Sequence, residues 1–342
     1  MRQSVLCLLT ASWLLGCSLT VRNPRACLFE GPSVCPAGTS CDPQLNECVP
    51  STDGGTSPTD LQCSGYFCND SPSSLAASLL VSVWGTGPSD IWAISYPNSI
   101  VHWDGRSWHT SKAASGPALY TIAGLGANNI WVVGDNGTVY RWDGASWTLQ
   151  AAPYGMNLYG IWVESASRVW VAGNQGFIYR GDGVIWNLSL MDGTYGNFLS
   201  LSGVDPQHIW AVSNMGRIAT WNGAAWSMTT VSGGSLRSVS AQAPDNVWTV
   251  GVGSLAFRFD GTSWKSQPAG TVSTPMLNSV WTVDADTAWA VGDGGSIFKW
   301  YRSAWSLQAS PTASDLMGVW SAPGQQTWIV GNSGTVLHQA EP

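Results

Sequence analysis

Charge is scarce in this sequence, since Lys, Arg, Asp and Glu make up only 10% of its 342 residues, against roughly 25% in ordinary soluble domains. The 14 basic residues are outnumbered by 21 acidic ones, and the formal net charge is −7. A nucleic-acid-binding protein needs clustered basic side chains to contact phosphates. The shortage of positive charge therefore argues against nucleic acid as a partner, whereas the acidity alone identifies no other partner.

Metal-ligating residues are equally scarce in most of the chain. No cysteine follows Cys68, which excludes a cysteine-dependent copper radical site in the long C-terminal part. The 4 histidines are His102, His109, His208 and His338, and their spacing matches no metal-binding motif. The sequence therefore predicts no metal and no cofactor.

The N-terminus has the features of an export signal. Arg2 precedes a mostly apolar stretch, Val5 to Leu15, that is too short to span a bilayer. The segment ends in Leu-Leu-Gly-Cys at residues 14–17, which resembles the lipobox of bacterial lipoproteins. That resemblance implies removal of residues 1–16 and lipidation of Cys17, so that residues 17–26 form a membrane-anchored tether. An ordinary cleaved signal is the alternative. By resemblance to Gram-negative lipoprotein sorting, Ser18 after the cysteine implies the outer membrane.

Six cysteines remain once Cys7 is removed and Cys17 is lipidated. They are Cys27, Cys35, Cys41, Cys48, Cys63 and Cys68. An even number in an exported chain predicts disulfides, although fifteen pairings are possible and the sequence selects none of them. Residues 27–48 are interpreted as a small Cys-rich knot, and residues 49–62, rich in Pro, Gly, Ser and Thr, as a flexible linker.

A tryptophan recurs every 38 to 41 residues through the rest of the chain. The series is Trp92, Trp131, Trp170, Trp210, Trp248, Trp289 and Trp328, and a second series in step with it is Trp108, Trp147, Trp186, Trp226, Trp264 and Trp305. Each unit contains four short strand-like runs, called A to D below. A period of about 40 residues with four strands per unit predicts an all-β, seven-bladed β-propeller over residues 63–342.

The seventh repeat ends after its third strand, so another segment must supply the missing strand D. We predict that residues 63–69 complete this blade as one extended strand. An extended run from Cys63 to Cys68 spans roughly 16–17 Å, whereas the Cα atoms of bridged cysteines lie within about 7 Å. A Cys63–Cys68 disulfide would therefore contradict this single-strand closure.

The C–D turns place aromatic residues on one face of each blade. Read as a two-residue Asp-Gly hairpin, the turn at Asp143-Gly144 pairs Tyr140 with Trp147. It also places Trp142 on the same face. The sixth repeat has Tyr301-Arg302 instead and must turn differently. The opposite face of strand C carries a cation or histidine in five of six repeats, which we interpret as covering a Trp of the next blade. These residues are His102, Arg141, Arg180, Arg258 and Lys299.

These repeats resemble the Trp-rich tandem repeats of exported bacterial propellers. They are also similar to BNR (Asp-box) and photosystem-assembly-factor-like propellers. The run Asp143-Gly144-Ala145-Ser146-Trp147 has the ingredients of an Asp box but lacks the residue between Asp and Gly. The resemblance implies the fold and little about function, because propellers have unrelated activities.

Propeller ligands commonly bind over the central channel, on the face where strand A begins. The second position of strand A varies between repeats, and Tyr120, Tyr159, Arg237 and Asn278 occupy it in four of them. We predict that these four residues form the ligand pocket. Residues of the B–C turns are weaker candidates for its rim, with turn geometry as the alternative explanation. They are Asp135, Asn174, Asn214, Asp293 and Asn332.

The sequence thus predicts a non-enzymatic surface lipoprotein whose propeller binds carbohydrate or protein, either a glycan or an envelope or extracellular protein. The alternative is a sialidase-like glycoside hydrolase, which would need several arginines on the inner strands. Only Arg237 lies in a strand A. Glycoside hydrolysis also needs two carboxylates flanking one bond, and Asp135 and Asp293 belong to different repeats.

Overall fold

The computed structural model describes residues 39–42, 47–50 and 62–339, apart from 114, 152–154, 194–195, 232–233, 270–275 and 323–325. The predicted signal and tether (1–26), Cys17, Cys27 and Cys35 lie outside the described residues. The chain divides into two units, Met1–Asp60 and Leu61–Pro342. Within the described residues no helix is long and apolar enough to cross a membrane.

The described residues of the first unit form an antiparallel hairpin of β1 (Thr39–Asp42) and β2 (Glu47–Pro50). Cys41 lies opposite Cys48 in its register. The pairing of the cysteines of this unit stays a prediction.

The second unit is a seven-bladed β-propeller, as the repeat period predicts. A hairpin of β3 (Gln62–Ser64) and β4 (Phe67–Asn69) precedes the blades. Blade 1 is β5 (Leu79–Gly87), β6 (Asp90–Tyr96), β7 (Ser99–Trp103) and β8 (Trp108–Lys112); blade 2 is β9 (Leu119–Gly126), β10 (Asn129–Gly134), β11 (Val139–Trp142) and β12 (Trp147–Leu149). Blade 3 is β13 (Leu158–Ser165), β14 (Arg168–Gly173), β15 (Phe177–Gly181) and β16 (Trp186–Met191); blade 4 is β17 (Phe198–Asp205), β18 (His208–Ser213), β19 (Arg217–Trp221) and β20 (Trp226–Thr230).

Blade 5 is β21 (Leu236–Ala243), β22 (Asn246–Gly251), β23 (Ala256–Phe259) and β24 (Trp264–Ser266); blade 6 is β25 (Leu277–Thr282), β26 (Thr287–Gly292), β27 (Ile297–Tyr301) and β28 (Ala304–Gln308). Blade 7 is β29 (Leu316–Ser321), β30 (Thr327–Gly331) and β31 (Val336–Gln339), followed in the sheet by β4 and β3. The strands of each blade are antiparallel, and the first strands of neighbouring blades lie side by side around the axis.

Tryptophan packing between blades forms much of the core. The strand B Trp of one blade contacts the aromatic residues of strands C and D of the next blade. The ring centroids of Trp92 and Trp142 are 5.3 Å apart, and those of Trp248 and Trp300 are 4.6 Å apart. Each buried aromatic side chain removes on the order of 150–250 Å² from water. The recurrence of tryptophan therefore follows from blade packing.

Two predictions about this packing are wrong in detail. Trp142 pairs directly with Trp147, and Tyr140 pairs with Leu149, because residues 143–146 form a four-residue loop. The Asp143 carboxylate holds this loop by accepting the N–H groups of residues 145 and 146, both at 2.8 Å. The sixth repeat does turn differently, with Tyr301 paired to Ala304.

The second error concerns the residues on the opposite face of strand C. Arg141 lies over Trp131 at 5.3 Å, and Arg180 lies over Trp170 at 5.4 Å. Each cation therefore covers the Trp of its own blade, because the two residues are directly paired across strands B and C.

The N-terminal segment closes blade 7, but as a hairpin. Cys63 and Cys68 form a disulfide with a Cα–Cα distance of 3.9 Å, so the prediction of one extended strand over 63–69 is wrong. β4 alone pairs with β31, and Phe67 lies opposite Gln339, the place that a strand D Trp occupies in other blades. Phe67 is fully buried and contacts Trp289 of blade 6 edge-on at 5.2 Å.

Candidate functional site

A β-bulge near the start of strand A recurs in all seven blades. In blade 3, Leu158 pairs with Gly173 and Gly160 with Ala172, so Tyr159 has no partner in the ladder. The same register shift occurs in every other blade. It skips Val81, Tyr120, Leu199, Arg237, Asn278 and Met317. Because a bulge turns a side chain away from the regular alternation, these seven positions can face the channel instead of a neighbouring blade.

Two glycines near the bulges, Gly134 and Gly160, lie against the backbone of other residues. A Cβ on Gly134, at the end of strand B, would lie 2.0 Å from the carbonyl oxygen of Ala118. A Cβ on Gly160, beside the axis, would lie 2.8 Å from the backbone nitrogen of Leu201. Glycine at these positions therefore allows the chain to pack more closely than any side chain would permit.

Small polar residues tie neighbouring inner strands together just below the bulges. The Ser200 hydroxyl accepts the N–H of Val239 at 3.1 Å, and the Ser238 hydroxyl accepts the N–H of Val280 at 3.2 Å. Ser82 and Ser279 make the same type of contact to the next blade. The bulged residues therefore stand on a cross-linked ring.

The bulged residues line one cavity of about 250 Å³ at the mouth of the channel, referred to below as the channel mouth. All four predicted pocket residues, Tyr120, Tyr159, Arg237 and Asn278, line it. The prediction did not include the apolar residues that line the same cavity, which are Val81, Leu199 and Met317. These three occupy the same variable position of strand A, so the sequence contained the signal that would have found them.

Tyrosines form one side of the channel mouth. The rings of Tyr120 and Tyr159 lie 5.2 Å apart at 46°, and the exposed ring of Tyr96 stacks on Tyr120 at 6.4 Å. The Tyr120 hydroxyl donates a 2.8 Å hydrogen bond to Asp135. Burial, and then this bond, raise the pKa of the Tyr120 phenol well above its usual value. Tyr120 therefore stays protonated, and its hydroxyl is held by the carboxylate.

Asn278 presents an unsatisfied acceptor. Its amide nitrogen donates to Asp293 and to the carbonyl oxygen of Leu316, both at 3.0 Å. Its carbonyl oxygen is buried and has no hydrogen-bond partner in the described part of the chain. Because an unsatisfied buried acceptor is costly, a ligand whose N–H or O–H reached this oxygen would remove that cost.

Arg237 is a cation without a counter-charge. The side chain is half-buried, yet neither an ion pair nor a side-chain hydrogen bond joins it to any other described residue, and its Nε is buried and unpaired. By contrast, Arg217 pairs with Asp192 at 2.8 Å and Arg168 with Glu164 at 2.6 Å. A guanidinium supplies a planar array of donors that matches a carboxylate.

The five rim candidates serve mainly turn geometry. The backbone N–H of each donates to the carbonyl of a residue just before strand A, such as Asp135 to Ala118 and Asn174 to Asn157. None of them lines the channel mouth, although Asp135 and Asp293 reach it indirectly through Tyr120 and Asn278. The Asn214 side chain accepts the backbone N–H of Asn197, and the Asn332 side chain donates to Asp315, so both bond to the connection that precedes strand A.

The lining residues do not assemble a recognisable catalytic group. Arg237 is the single arginine among the described lining residues, whereas a sialidase-like site would need several. Within the described residues, no three His, Cys, Asp or Glu side chains lie close enough together to hold a metal ion. The channel mouth thus offers a cation, an acceptor and aromatic and apolar walls, which are features of a binding site.

Comparison with known proteins identifies the fold and nothing finer. No family model matches the sequence, and no curated protein matches it significantly. A virginiamycin B lyase from Staphylococcus aureus in complex with quinupristin superposes with a TM-score of 0.71 and 11% identity, covering 81% of this chain and 99% of its own. YCF48 from Cyanidioschyzon merolae does so with a TM-score of 0.65 and 15% identity, covering 80% of this chain and 98% of its own.

A structure of YCF48 bound to D1 peptide gives a TM-score of 0.65 at 16% identity, covering 78% of this chain and 93% of its own. Identities this low support similarity of fold alone. The chain is therefore similar to β-propellers that differ in function, and the propeller part of the resemblance expected from the sequence is confirmed.

Proposed function

We propose that this protein is a non-enzymatic binding protein that takes up a carboxylate-bearing segment of another protein in the channel mouth. The observation that carries this proposal is the half-buried guanidinium of Arg237, which no described acidic residue neutralises. A buried cation gains most from a partner that arrives with its own negative charge, because solvent screens the pair weakly there. The ligand would supply the counter-charge that the fold leaves out.

The other lining groups favour a peptide. The free carbonyl oxygen of Asn278 suits a backbone N–H, and the wall of Val81, Leu199 and Met317 suits an apolar side chain. A carboxylate, an N–H and an apolar group occur together in a peptide. The structure of YCF48 with a peptide is a precedent for peptide binding by a protein of similar fold.

A carboxylated glycan is the second candidate. The rings of Tyr120 and Tyr159 favour it, because aromatic residues at binding sites combine an apolar face with a polar hydroxyl. In this case Arg237 would bind the acidic group of the sugar, and Asn278 would accept one of its hydroxyls.

The N-terminal sequence supports a location for this activity. We propose that the protein is exported and anchored to the bacterial outer membrane through a lipid on Cys17, with the knot and linker between this anchor and the propeller in the sequence. Labelling with a radioactive fatty acid tests the anchor. Incorporation that disappears in a Cys17→Ala variant supports it, and a soluble, unlabelled wild-type protein would contradict it.

The ligand proposal is tested by screening the purified protein on a random-peptide display library and on a glycan array that includes uronic and sialic acids. Enriched peptides carrying Asp, Glu or a free C-terminus, bound by the wild type and not by an Arg237→Gln variant, are the expected result. Arg106→Gln is the matched control, because Arg106 is exposed in a C–D turn and its removal changes the net charge equally. Selective binding of acidic glycans would favour the second candidate. Turnover of a sialoside that is lost in Arg237→Gln would overturn the non-enzymatic assignment.

A further inference from the structure

One blade departs from the pattern that covers the strand B tryptophans. In the other six blades, the strand C residue paired with that Trp is a cation or a histidine. These residues are His102, Arg141, Arg180, Arg258, Lys299 and His338. Blade 4 has Thr220 opposite Trp210. Among the described residues, no Lys or Arg lies over Trp210, and the ring that stacks on it, at 6.4 Å, is that of His208 on the same strand. The face of blade 4 that meets blade 5 therefore lacks the covering strand C side chain found in the other blades.

The adjoining face of blade 5 is also different. Phe259 takes the place of a strand C Trp, and its ring lies 6.2 Å from that of Trp210. In blades 2 and 4, the indole N–H of the strand D Trp donates to a serine of the preceding blade, as Trp147 does to Ser111 at 3.0 Å. Trp264 of blade 5 makes no such bond, although Thr229 has the same place in blade 4 that Ser111 has in blade 1, three residues after the strand D Trp. Trp108 and Trp305 also lack this bond, but their indole N–H groups are buried, whereas that of Trp264 is not.

These departures leave a groove of about 660 Å³ between the outer strands of blades 4 and 5. Its described lining contains the aromatic residues Phe257, Phe259 and Trp264 and seven serines or threonines, and no charged side chain. The hydroxyls of Thr220 and Thr229 and the indole N–H of Trp264 have no side-chain hydrogen-bond partner among the described residues, and none of these groups is a buried orphan. They are therefore available to a ligand.

We infer that this groove is a second binding site, distinct from the channel mouth, and that it takes a neutral saccharide. The C–H face of a sugar ring packs on an aromatic side chain, and its hydroxyls exchange hydrogen bonds with serine and threonine, which donate and accept. A charged ligand would find no counter-charge among the described lining residues. An apolar ligand would leave the hydroxyls unsatisfied.

The test is an array of neutral oligosaccharides, comprising gluco-, manno-, galacto-, xylo- and N-acetylgluco-oligomers, followed by calorimetric titration of the strongest binder. Thr220→Arg restores the side chain that the repeat places over Trp210 and fills the groove, and it is expected to weaken binding at least about tenfold. Thr229→Arg, at an exposed position, serves as a second variant in case Thr220→Arg folds poorly, and it is expected to weaken saccharide binding by a similar factor.

Two controls separate the groove from general charge effects and from the channel mouth. Thr110→Arg, at an exposed site on strand D of blade 1, and Arg237→Gln in the channel mouth should leave the affinity for the saccharide within about twofold. Failure of every neutral saccharide to bind, or binding that Thr220→Arg and Thr229→Arg leave unchanged, would overturn the inference. Because saccharide binding in the groove is not expected to depend on Arg237, the outcome of this test is independent of the proposed function.

Discussion

The β3–β4 hairpin closes the ring, so we expect the Phe67 side chain of β4 to contribute strongly to the stability of the propeller. Phe67 is fully buried, its ring lies 5.2 Å from Trp289, and it shares a cluster with Ile297, Leu316 and Leu337. Truncating a buried Phe to Ala removes its transfer free energy and leaves a cavity, which together cost about 3–5 kcal/mol. Since whole domains are stable by about 5–15 kcal/mol, Phe67→Ala should remove a large share of the stability.

The neighbouring Tyr66 provides a matched control. It is 56% exposed, and its main described contact is the Lys299 ammonium, 5.6 Å from the ring centroid. An exposed cation–π contact contributes about 0.5–1 kcal/mol, so Tyr66→Ala should cost no more than this. Guanidinium unfolding curves of the two variants measure both free energies. Closure by β4 would be refuted if the two variants differed by less than about 1 kcal/mol.

Three further predictions concern the same framework. Replacing Cys63 and Cys68 by Ser should lower the free energy of unfolding by about 2 kcal/mol, because the bridge closes a short loop of the unfolded chain; an unchanged denaturation midpoint would argue against this. Gly160→Ala should cost about 1–3 kcal/mol through the clash beside the axis, whereas Gly126→Ala, which meets nothing within 4 Å, should stay within about 0.5 kcal/mol. The backbone N–H groups of the C–D loop lower the pKa of Asp143, so its stabilisation is present above about pH 4 and is lost as pH falls through the lowered pKa. Asp143→Asn keeps the acceptor and should reduce the drop in melting temperature between pH 7 and pH 3; an equal drop would show that this carboxylate is not responsible.

The architecture could be predicted from the sequence because the largest side chain, tryptophan, recurs at the same positions of each repeat. A tryptophan every 38 to 41 residues identifies the blades. Strand alternation places the aromatic residues of strands C and D on the face that packs against the neighbouring blade. The pairing of Trp142 with Trp147 could not be predicted from the Asp-Gly dipeptide alone. It depends on the Asp143 side chain replacing backbone hydrogen bonds across a longer loop.

The closing hairpin shows a different limit. The missing strand D and the position of residues 63–69 both pointed to closure by this segment, but the strand that closes the blade has three residues, Phe67–Asn69. The short Cys63–Cys68 loop allows the chain to reverse before it reaches blade 7. The cysteine spacing is compatible with either arrangement, and the Cys63–Cys68 disulfide together with the pairing of β4 alone to β31 distinguishes them.

The candidate site was predictable for a related reason. Positions that vary between internal copies are released from blade packing, and all four predicted pocket residues line one cavity. The prediction did not include the bulge that turns them toward it. The sequence carries a sign of it, because buried apolar residues such as Leu119 and Ile122 are three positions apart, which breaks the two-residue alternation of a regular strand. The sequence did not show that Arg237 lacks a partner, since pairing depends on residues distant in the chain.

The most direct test of the proposed function is a double-mutant cycle across the channel mouth. The best peptide from the display screen would be titrated calorimetrically, with its carboxylate free or converted to the amide, against the wild type and Arg237→Gln. Each single change is expected to weaken binding, and the two together should cost little more than either, with a coupling of at least about 1.5 kcal/mol. Additive losses, or a free carboxylate that binds Arg237→Gln as tightly as the wild type, would show that Arg237 does not recognise the ligand carboxylate.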